Sequence, residues 1–440
     1  MSRTLERNYP TRPLQTWNKC RELRLQYYRD VAAAREQGKL LVGGPTGSLS
    51  ILPAGLGDVV WFGGETYGAT VGADPAFSSP CVQATEAAGL GRDTCSYFRN
   101  YFGSMLLDKY YFNGAFPKAD FYIQSHICDV HSKWYQAVSE HLGVPFYGVD
   151  MPPGPWGDER TEERIIYYTG QLLDVIEWME RTTGRHYDDE RFAAAVINEW
   201  EGARLWAEIC CLNQTTPAPL DLKTMLVVFL PLMLLKGESR TLEFCKELKA
   251  EVEERVRDGI AALGVERYRY LHEGFPPWHF LKVFRVLEEY GAVSLGSLYM
   301  FCTSGHWDIG DDGIWRPPKP FREMGIRFKS REDIARFYAR VCMGNLNYRG
   351  SFWLAAEKNR QVLQIYRQWH ADGAVIHLNR GCKGAGGYML EVRLALINEG
   401  IPVAAYEGNA ADRRDFDEAQ VIDRLESFAE SQGLSKIPRD

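Results

Sequence analysis

Several common sequence signatures are missing from these 440 residues, and each absence removes a class of protein. No apolar stretch is long enough to span a bilayer, and the most apolar one, 225–235, contains Pro231 and predicts a buried helix. No run of lysine or arginine offsets the net charge of -7, which argues against nucleic-acid binding. The P-loop, the Ser-His-Asp order and the H-E-x-x-H motif are absent too, so the sequence has no familiar nucleotide-binding or hydrolytic signature.

Secretion signals and paired cysteines are also absent. The first residues contain no apolar segment of the kind that directs export, and no Cys-x-x-Cys pair occurs. We therefore expect a cytoplasmic protein without membrane contact. In a reducing compartment its ten cysteines are expected to be free thiols or metal ligands rather than disulfides.

Strand-like and helix-like runs alternate in two parts of the chain, which predicts an α/β fold with parallel sheets. We expect two Rossmann- or flavodoxin-like parallel-sheet domains, separated by a helical segment and related by an ancient duplication. The predicted boundaries are an N-terminal helical arm at 1–45, a first α/β domain at 46–157, the helical segment at 158–265 and a second α/β domain at 266–440.

Three cysteines, Cys95, Cys128 and Cys382, lie in polar or glycine-rich segments where a core thiol is not expected. Cys128 and Cys382 follow runs that predict buried strands, and residues at the carboxyl ends of parallel strands face the ligand crevice of α/β sheets. Their polar, cationic or glycine neighbours are expected to expose the thiols and lower their pKa. Three such thiols suit an iron–sulfur cluster or zinc, although zinc would require a fourth ligand.

The other seven cysteines are weaker candidates. Cys81 is expected at the start of a helix, and Cys302 is expected just after a strand at 295–301, so both are second-rank functional candidates. The remaining five lie among apolar neighbours in predicted helices, which is typical of buried core thiols: Cys20, Cys210, Cys211, Cys245 and Cys342.

The loop 381–387 is rich in glycine and joins a predicted strand to a predicted helix. With Glu407 at the end of the next strand, this is the layout of a dinucleotide site, but the G-x-G-x-x-G order is not met. The glycines alternatively allow backbone amides to approach cluster sulfurs or a phosphate of an acyl-CoA.

Histidines near the cysteines form no recognisable catalytic motif. His126 and His131 flank Cys128, and His306 follows Cys302 and is expected to line a pocket. His377 lies on the strand before the last of the three cysteines, where a core position is the expected role.

Two regions together carry a resemblance to a known family. One runs from Cys95-Ser96-Tyr97-Phe98-Arg99 to Cys128-Asp129, 33 positions later (128 minus 95), and on through 134–153. The other runs from Val375 through Gly381-Cys382 to 428. With these pieces the chain resembles the 2-hydroxyacyl-CoA dehydratases and ATP-dependent benzoyl-CoA reductases over most of 50–435. It looks most like the larger active-site subunit (B/O type) of benzoyl-CoA reductase, although 48–53 departs from the family pattern at the start of a strand.

The resemblance implies a cofactor and partners. Cys95, Cys128 and Cys382 would hold an iron–sulfur cluster, [4Fe-4S] or larger, with one iron position left open. The chain would be the active-site subunit that reduces the ring of benzoyl-CoA, or a substituted benzoyl-CoA, to a cyclic dienoyl-CoA. A related smaller subunit would pair with it, and two ATP-binding electron-activating subunits supplied by ferredoxin would deliver electrons. The proton donor would be a histidine or a tyrosine hydroxyl, which the sequence does not single out.

Two alternatives stay open. Within the same family, the chain would instead be a subunit of a 2-hydroxyacyl-CoA dehydratase. In a different class, it would be a zinc- or nucleotide-binding structural partner without iron.

Overall fold

The computed structural model describes residues 8–345, 352 and 354–438. Its strands are β1 Leu40–Gly44, β2 Val59–Gly63, β3 Phe121–His126, β4 Phe146–Asp150, β5 Tyr268–Glu273, β6 Ala292–Gly296, β7 Asp308–Ile309, β8 Trp315–Arg316, β9 Gly373–Asn379 and β10 Val403–Gly408. Its helices are α1 Trp17–Ala33, α2 Gly64–Gly72, α3 Pro75–Ala87, α4 Ser96–Leu106, α5 Trp134–Leu142, α6 Thr161–Thr183, α7 Asp189–Leu212, α8 Leu222–Val228, α9 Leu230–Leu234, α10 Ser239–Asp258, α11 Val283–Glu288, α12 Leu298–Thr303, α13 Arg331–Gly344, α14 Ala355–Gln368, α15 Met389–Asn398 and α16 Glu418–Ser431.

Two four-stranded sheets, each wholly parallel, form the centre of the fold. The first has the order β2-β1-β3-β4 and the second the order β10-β9-β5-β6. In both, the strand that contributes a cysteine loop, β3 or β9, lies at one of the two central positions of its sheet. The predicted fold class, two parallel-sheet units with helices between them, is confirmed.

The central strands of the two sheets are buried on both sides. Every residue of β5 and β6 is buried, as are five of the six residues of β3. Strands that pair in parallel need crossover helices, and those helices cover both faces of the sheet.

Between the two sheets, α6 to α10 form a continuous helical stretch, as the apolar periodicity predicts. The Asp188 carboxylate caps α7 by accepting hydrogen bonds from the N–H groups of Glu190 and Arg191, and Gly184 ends α6 in the left-handed conformation. α13 packs against α6, although it follows β8 in the chain. The core of the first unit therefore includes a helix from the second half of the sequence.

Three local expectations are wrong. The segment 40–44, expected in the helical arm, is β1, and it lies between β2 and β3 in the first sheet because Leu41 and Val42 are buried there. Cys302 lies inside α12 rather than after a strand, since β6 ends at Gly296 and the Ser297 side chain caps the next helix. Cys81 lies in the middle of α3, which begins at Pro75.

No helix of the described ranges is both long and apolar enough to cross a membrane.

Candidate functional site

A cavity of about 120 Å³ receives residues from the carboxyl ends of strands in both sheets. Thr46, Glu65 and Cys128 reach it from the ends of β1, β2 and β3. Phe275, Cys382 and Ala410 reach it from the ends of β5, β9 and β10. The cavity thus lies where a sheet-based ligand site is expected, and both sheets contribute to it.

All three cysteines singled out by the sequence line this cavity, and all three are half-buried. Cys128 follows β3, and Cys382 follows β9, each a central strand of its sheet. Cys95 is the residue before α4, so its thiol lies at the amino-terminal end of that helix, where the backbone N–H groups of Tyr97 and Phe98 act to lower the pKa of the thiol. Six of the other seven cysteines are buried, and Cys211 is half-buried in α7.

Glycines allow the loops that carry the three thiols to meet. A Cβ atom on Gly381 would lie 3.1 Å from the carbonyl oxygen of Asp93, which is two residues before Cys95. A Cβ atom on Gly384 would lie 3.2 Å from the Cβ of Cys128. Gly381 also has a φ of +78°, which favours glycine. These close approaches form a compact cradle, made by the loops that carry Cys95, Cys128 and Cys382, which side chains at Gly381 or Gly384 would fill.

A backbone N–H group points at one of the three sulfurs. The Gly386 N–H donates to the Cys382 Sγ at 3.3 Å. Such hydrogen bonds are a common feature of thiolates that hold iron–sulfur clusters, where they tune the reduction potential.

The expected lowering of the thiol pKa values is wrong for the protein without metal. Burial, with the nearby Cys382 thiol adding to it, raises the pKa of Cys95 to about 12. Burial also raises the pKa of Cys128 and of Cys382 above the usual range, although hydrogen bonds from backbone N–H groups oppose it. The polar neighbours do not expose the thiols because the three loops close over them. Deprotonation therefore has to accompany metal binding, as is usual for cysteine sites.

Glu65 is the carboxylate of the cavity. It accepts hydrogen bonds from the Thr46 N–H at 2.7 Å and the Tyr135 hydroxyl at 3.0 Å, and the His131 Nε2 lies 2.8 Å from its Oε1. Burial alone would raise the pKa of Glu65, but His131 and the Thr46 N–H lower it below its ordinary value. The sequence prediction includes His131 and omits Glu65 and Thr46. The sequence does carry one signal for Glu65: it is an acidic residue that comes two positions after the end of a strand, next to Gly63 and Gly64.

Aromatic side chains form much of the remaining wall. Phe275 lies between Tyr97 and Tyr299, with ring centroids 5.6 and 4.5 Å away, and Trp134 and Phe352 also line the cavity. The Tyr97 hydroxyl accepts a hydrogen bond from the Trp278 indole N–H. The space next to the thiols is therefore largely apolar and suits a flat or aliphatic acyl group.

A buried ion-pair network joins the two units beside the cavity. The Arg99 guanidinium on α4 is fully buried and lies 2.8 Å from Asp412, which follows β10, and 2.9 Å from Glu86 on α3. The Arg99 Nε also donates to the Thr94 carbonyl at 3.0 Å, directly before Cys95. The network therefore ties the Cys95 loop to the second sheet.

The remaining candidates lie elsewhere. His377 is fully buried and stacks on Tyr406 with centroids 4.8 Å apart, so it is a core residue, as expected. His306 bonds Glu199 at 3.1 Å outside the cavity, contrary to its expected pocket role. Glu407 is exposed and pairs with Arg380 at 2.7 Å.

The three thiols line the cavity together. In the part of the chain that the structure describes, no three His, Cys, Asp or Glu side chains are close enough to hold a single metal ion. A mononuclear zinc site needs ligands within about 2.3 Å of one ion, whereas a cluster is held at its corners by separate thiolates. Three cysteine donors around a cradle kept open by glycines suit the corners of an iron–sulfur cluster.

Comparison with known proteins points to one family. Residues 55–431 match the family described as 2-hydroxyglutaryl-CoA dehydratase, D-component. The (R)-2-hydroxyisocaproyl-CoA dehydratase alpha subunit of Clostridioides difficile is 26% identical over 93% of this chain and 94% of its own length. The (R)-phenyllactyl-CoA dehydratase alpha subunit of Clostridium sporogenes is 26% identical over 85% and 83%, respectively. A subunit of the benzoyl-CoA reductase of Thauera aromatica is 24% identical over 80% and 79%.

Proposed function

Because the chain belongs to the 2-hydroxyglutaryl-CoA dehydratase, D-component family, we propose that it is the active-site subunit of an iron–sulfur enzyme acting on acyl-CoA thioesters. Cys95, Cys128 and Cys382 are the proposed ligands. The observation that carries the proposal is that three thiols from distant parts of the chain line one cavity, and the Gly386 N–H donates to one of them, the Cys382 sulfur. When bound, a three-thiolate cluster supplies electrons and an open iron position for a carbonyl oxygen.

The chain's own residues prepare the cavity for a thioester. The aromatic wall excludes water, which strengthens every electrostatic interaction inside. Glu65 is held as an anion by His131, and this pair is the proposed proton-handling group of the cavity. The sequence leaves open which histidine or tyrosine supplies protons, and we propose His131 together with Glu65.

For the substrate we propose benzoyl-CoA or a substituted benzoyl-CoA, whose ring takes up two electrons and two protons to give a cyclic dienoyl-CoA. The supporting observation is the aromatic lining: Tyr97, Trp134, Phe275, Tyr299 and Phe352 offer flat apolar surfaces to a ring. Adding an electron to an aromatic ring also demands a dry site, because water would compete for the developing charge.

Dehydration of a 2-hydroxyacyl-CoA is the second candidate function. It is supported by the two dehydratase alpha subunits, which match this chain over a larger share of its length than the benzoyl-CoA reductase subunit does. In that reaction the Glu65–His131 pair would handle the proton that leaves the substrate or the one that accompanies the departing hydroxyl.

The proposed partners follow from the chemistry. We propose that electrons of low potential come from separate ATP-hydrolysing subunits with ferredoxin as their source, since this sequence contains no P-loop of its own. The relatives are named as subunits, and we propose a related smaller subunit as the partner of this chain.

A substrate assay separates the two reactions. The complex, reconstituted without oxygen, is supplied with benzoyl-CoA in one reaction and with a 2-hydroxyacyl-CoA in another. Ring reduction predicts a dienoyl-CoA product and ATP hydrolysis in proportion to the electrons transferred. Dehydration predicts an enoyl-CoA product and continued turnover after a single priming reduction. Turnover of neither thioester contradicts both candidates.

Metal analysis tests the ligand set. We expect iron and acid-labile sulfide in the anaerobically purified wild-type protein, and loss of most of both in Cys382→Ala. Cys302→Ala is the matched control, because that cysteine is buried in α12 away from the cavity lining and its removal should leave the iron content unchanged. A wild-type protein without iron contradicts the cluster proposal, and unchanged iron in Cys382→Ala removes that residue from the ligand set.

A further inference from the structure

A buried lysine lies directly behind the Cys382 loop. Lys358 on α14 is 1% exposed. Its Nζ donates to the carbonyl oxygens of Ala385 at 3.0 Å and Gly387 at 2.5 Å, both in the loop that follows Cys382. The ammonium also lies 5.8 Å from the centre of the Tyr388 ring. A single side chain thus holds the cysteine loop by two backbone carbonyls.

Within the described ranges, this ammonium forms no ion pair within 4.0 Å with a carboxylate. Glu273 lines the same small cavity as Lys358, but its two oxygens accept from the Leu298 N–H, at 3.0 and 3.2 Å. An unpaired cation in the interior is costly, and natural proteins compensate it with a nearby negative charge. Burial lowers the pKa of Lys358 to about 8, while negative charge on Cys382, Glu273 and Glu391 acts in the opposite direction.

We propose that Lys358 is the buried counter-charge of the group held by Cys95, Cys128 and Cys382, and that it raises the reduction potential of that group. This inference rests on the proposed function. Three thiolates carry more negative charge than the core of an oxidised cubane cluster carries positive charge, so the whole is anionic and becomes more so on reduction. A fixed positive charge in a low-dielectric interior therefore favours the reduced state. Lys358 acts through the group and its loop and is a positioning residue.

The test is a redox titration followed by electron paramagnetic resonance on the anaerobically reconstituted protein. Lys358→Gln keeps an amide donor for a loop carbonyl but removes the charge, so we expect a more negative potential than in the wild type. Lys358→Arg keeps the charge and is expected to restore a potential close to that of the wild type.

Lys383→Gln is the matched control. Lys383 is next to Cys382 in the chain, but its side chain is 71% exposed and lies 3.7 Å from Asp129, so solvent screens its charge. We expect a much smaller shift than for Lys358→Gln. A shift of equal size would overturn the proposal, because it would show that burial of the charge is immaterial.

The two levels of the hypothesis fail in different ways. An iron-free wild-type protein overturns the proposed function and this inference with it. An iron-loaded Lys358→Gln with the wild-type potential overturns this inference alone. Should Lys358→Gln not fold, Lys358→Met carries the same test, because a long unbranched side chain fills the same space without the charge and should give a more negative potential. An unchanged potential in that variant also overturns the proposal.

Discussion

Glu65 and Glu273 show how neighbours decide what burial does to a carboxylate. Glu65 lines the cysteine cavity, Glu273 lines the smaller one, and Phe275 and Tyr299 line both. The ring of His131 beside Glu65 lowers the pKa of that carboxylate. Glu273 is fully buried and, among the residues that the structure describes, accepts from the Leu298 N–H alone, and burial raises its pKa to about 7. At neutral pH the first is an anion and the second is in the middle of its titration.

Glu65→Gln should lower turnover strongly while leaving the iron content unchanged. The amide cannot take up a proton, and removing a positioned acid or base typically costs about 10² to 10⁴ in rate. Turnover and iron are measured on the same anaerobic preparation. Tyr135→Phe is the control, since it removes one hydrogen bond to Glu65 and keeps the carboxylate, so its rate should fall far less. A wild-type rate in Glu65→Gln would rule out the proton-handling role.

Glu273→Gln should change the pH dependence of stability in the metal-free protein. The folded-state pKa of about 7 lies above the ordinary value of 4.5, so between these pH values the folded state binds the extra proton and loses stability as pH rises. This cost reaches about 3 kcal/mol once Glu273 is ionised. The Gln variant has no such cost.

Urea denaturation at a series of pH values measures this difference. The free energy of unfolding of Glu273→Gln, relative to the wild type, should rise as pH increases from 4.5 to above 7. A difference that stays constant over that range would show that Glu273 is not strained by burial.

At the scale of elements, the loop between β9 and α15 depends on the smallness of its residues. A Cβ atom on Gly386 would lie 2.9 Å from the carbonyl oxygen of Cys382 and 3.0 Å from its Cβ. Because the same residue donates its N–H to the sulfur, any displacement of the loop also displaces the thiol.

Gly386→Ala should therefore weaken iron retention without unfolding the protein. The added methyl group has to push the Cys382 backbone away, so the thiol leaves its place in the cradle. Gly170→Ala is the control: Gly170 lies in α6 with no neighbour within 4 Å of an added Cβ, and the substitution should stabilise the helix by roughly 0.5–1 kcal/mol. Iron content after gel filtration is the measurement, and equal retention in both variants would contradict the cradle.

Helices and strands whose apolar residues recur at a regular spacing are predictable from the sequence, whereas short elements beside glycines are not. Apolar residues recur at helical spacing along α6, α7 and α10, and β9 contains an apolar run, so the sequence indicates the type of each element. The sequence does not reveal β1, because Leu40 to Gly44 ends in two glycines and follows a helix. It predicts a strand at α12, because the residues there are as apolar as those of β6 and only the Ser297 cap separates the two.

At the scale of the whole molecule, the Arg99 network holds the two sheet units together around the site. Asp412→Asn removes the charge that the fully buried guanidinium faces at 2.8 Å, and Glu86 remains as a second partner. Breaking a buried pair by removing one charge typically costs 3–5 kcal/mol, and we expect about 3 kcal/mol here.

Urea unfolding checks this value against an exposed ion pair. Glu399→Gln breaks the pair between Glu399 and Arg367, whose side chains are 48% and 58% exposed, and should cost less than about 1 kcal/mol. Similar costs for the two variants would mean that the buried network does not hold the units together.

The sequence predicts only part of the site, because several site residues gain their roles from contacts between distant parts of the molecule. The three cysteines stand out because thiols are unusual beside glycine and charged residues, and this local pattern is visible in the sequence without knowledge of the fold. Thr46, Glu65 and Lys358 are ordinary residues in ordinary segments, and each gains a role only from groups distant in the sequence. Residue type alone does not distinguish them from solvated polar side chains.

The division of the thiols between two sheets also constrains when the site can form during synthesis. Cys95, before α4, and Cys128, after β3, belong to the unit of the first sheet, whereas Cys382 follows β9 in the second sheet, 254 positions after Cys128 (382 minus 128). A ribosome therefore completes the first sheet and the whole helical segment before the last proposed ligand exists. Loading of the proposed cluster has to wait until β9 and the Cys382 loop have been made, and until then the first unit holds its two thiols in an unfinished cradle.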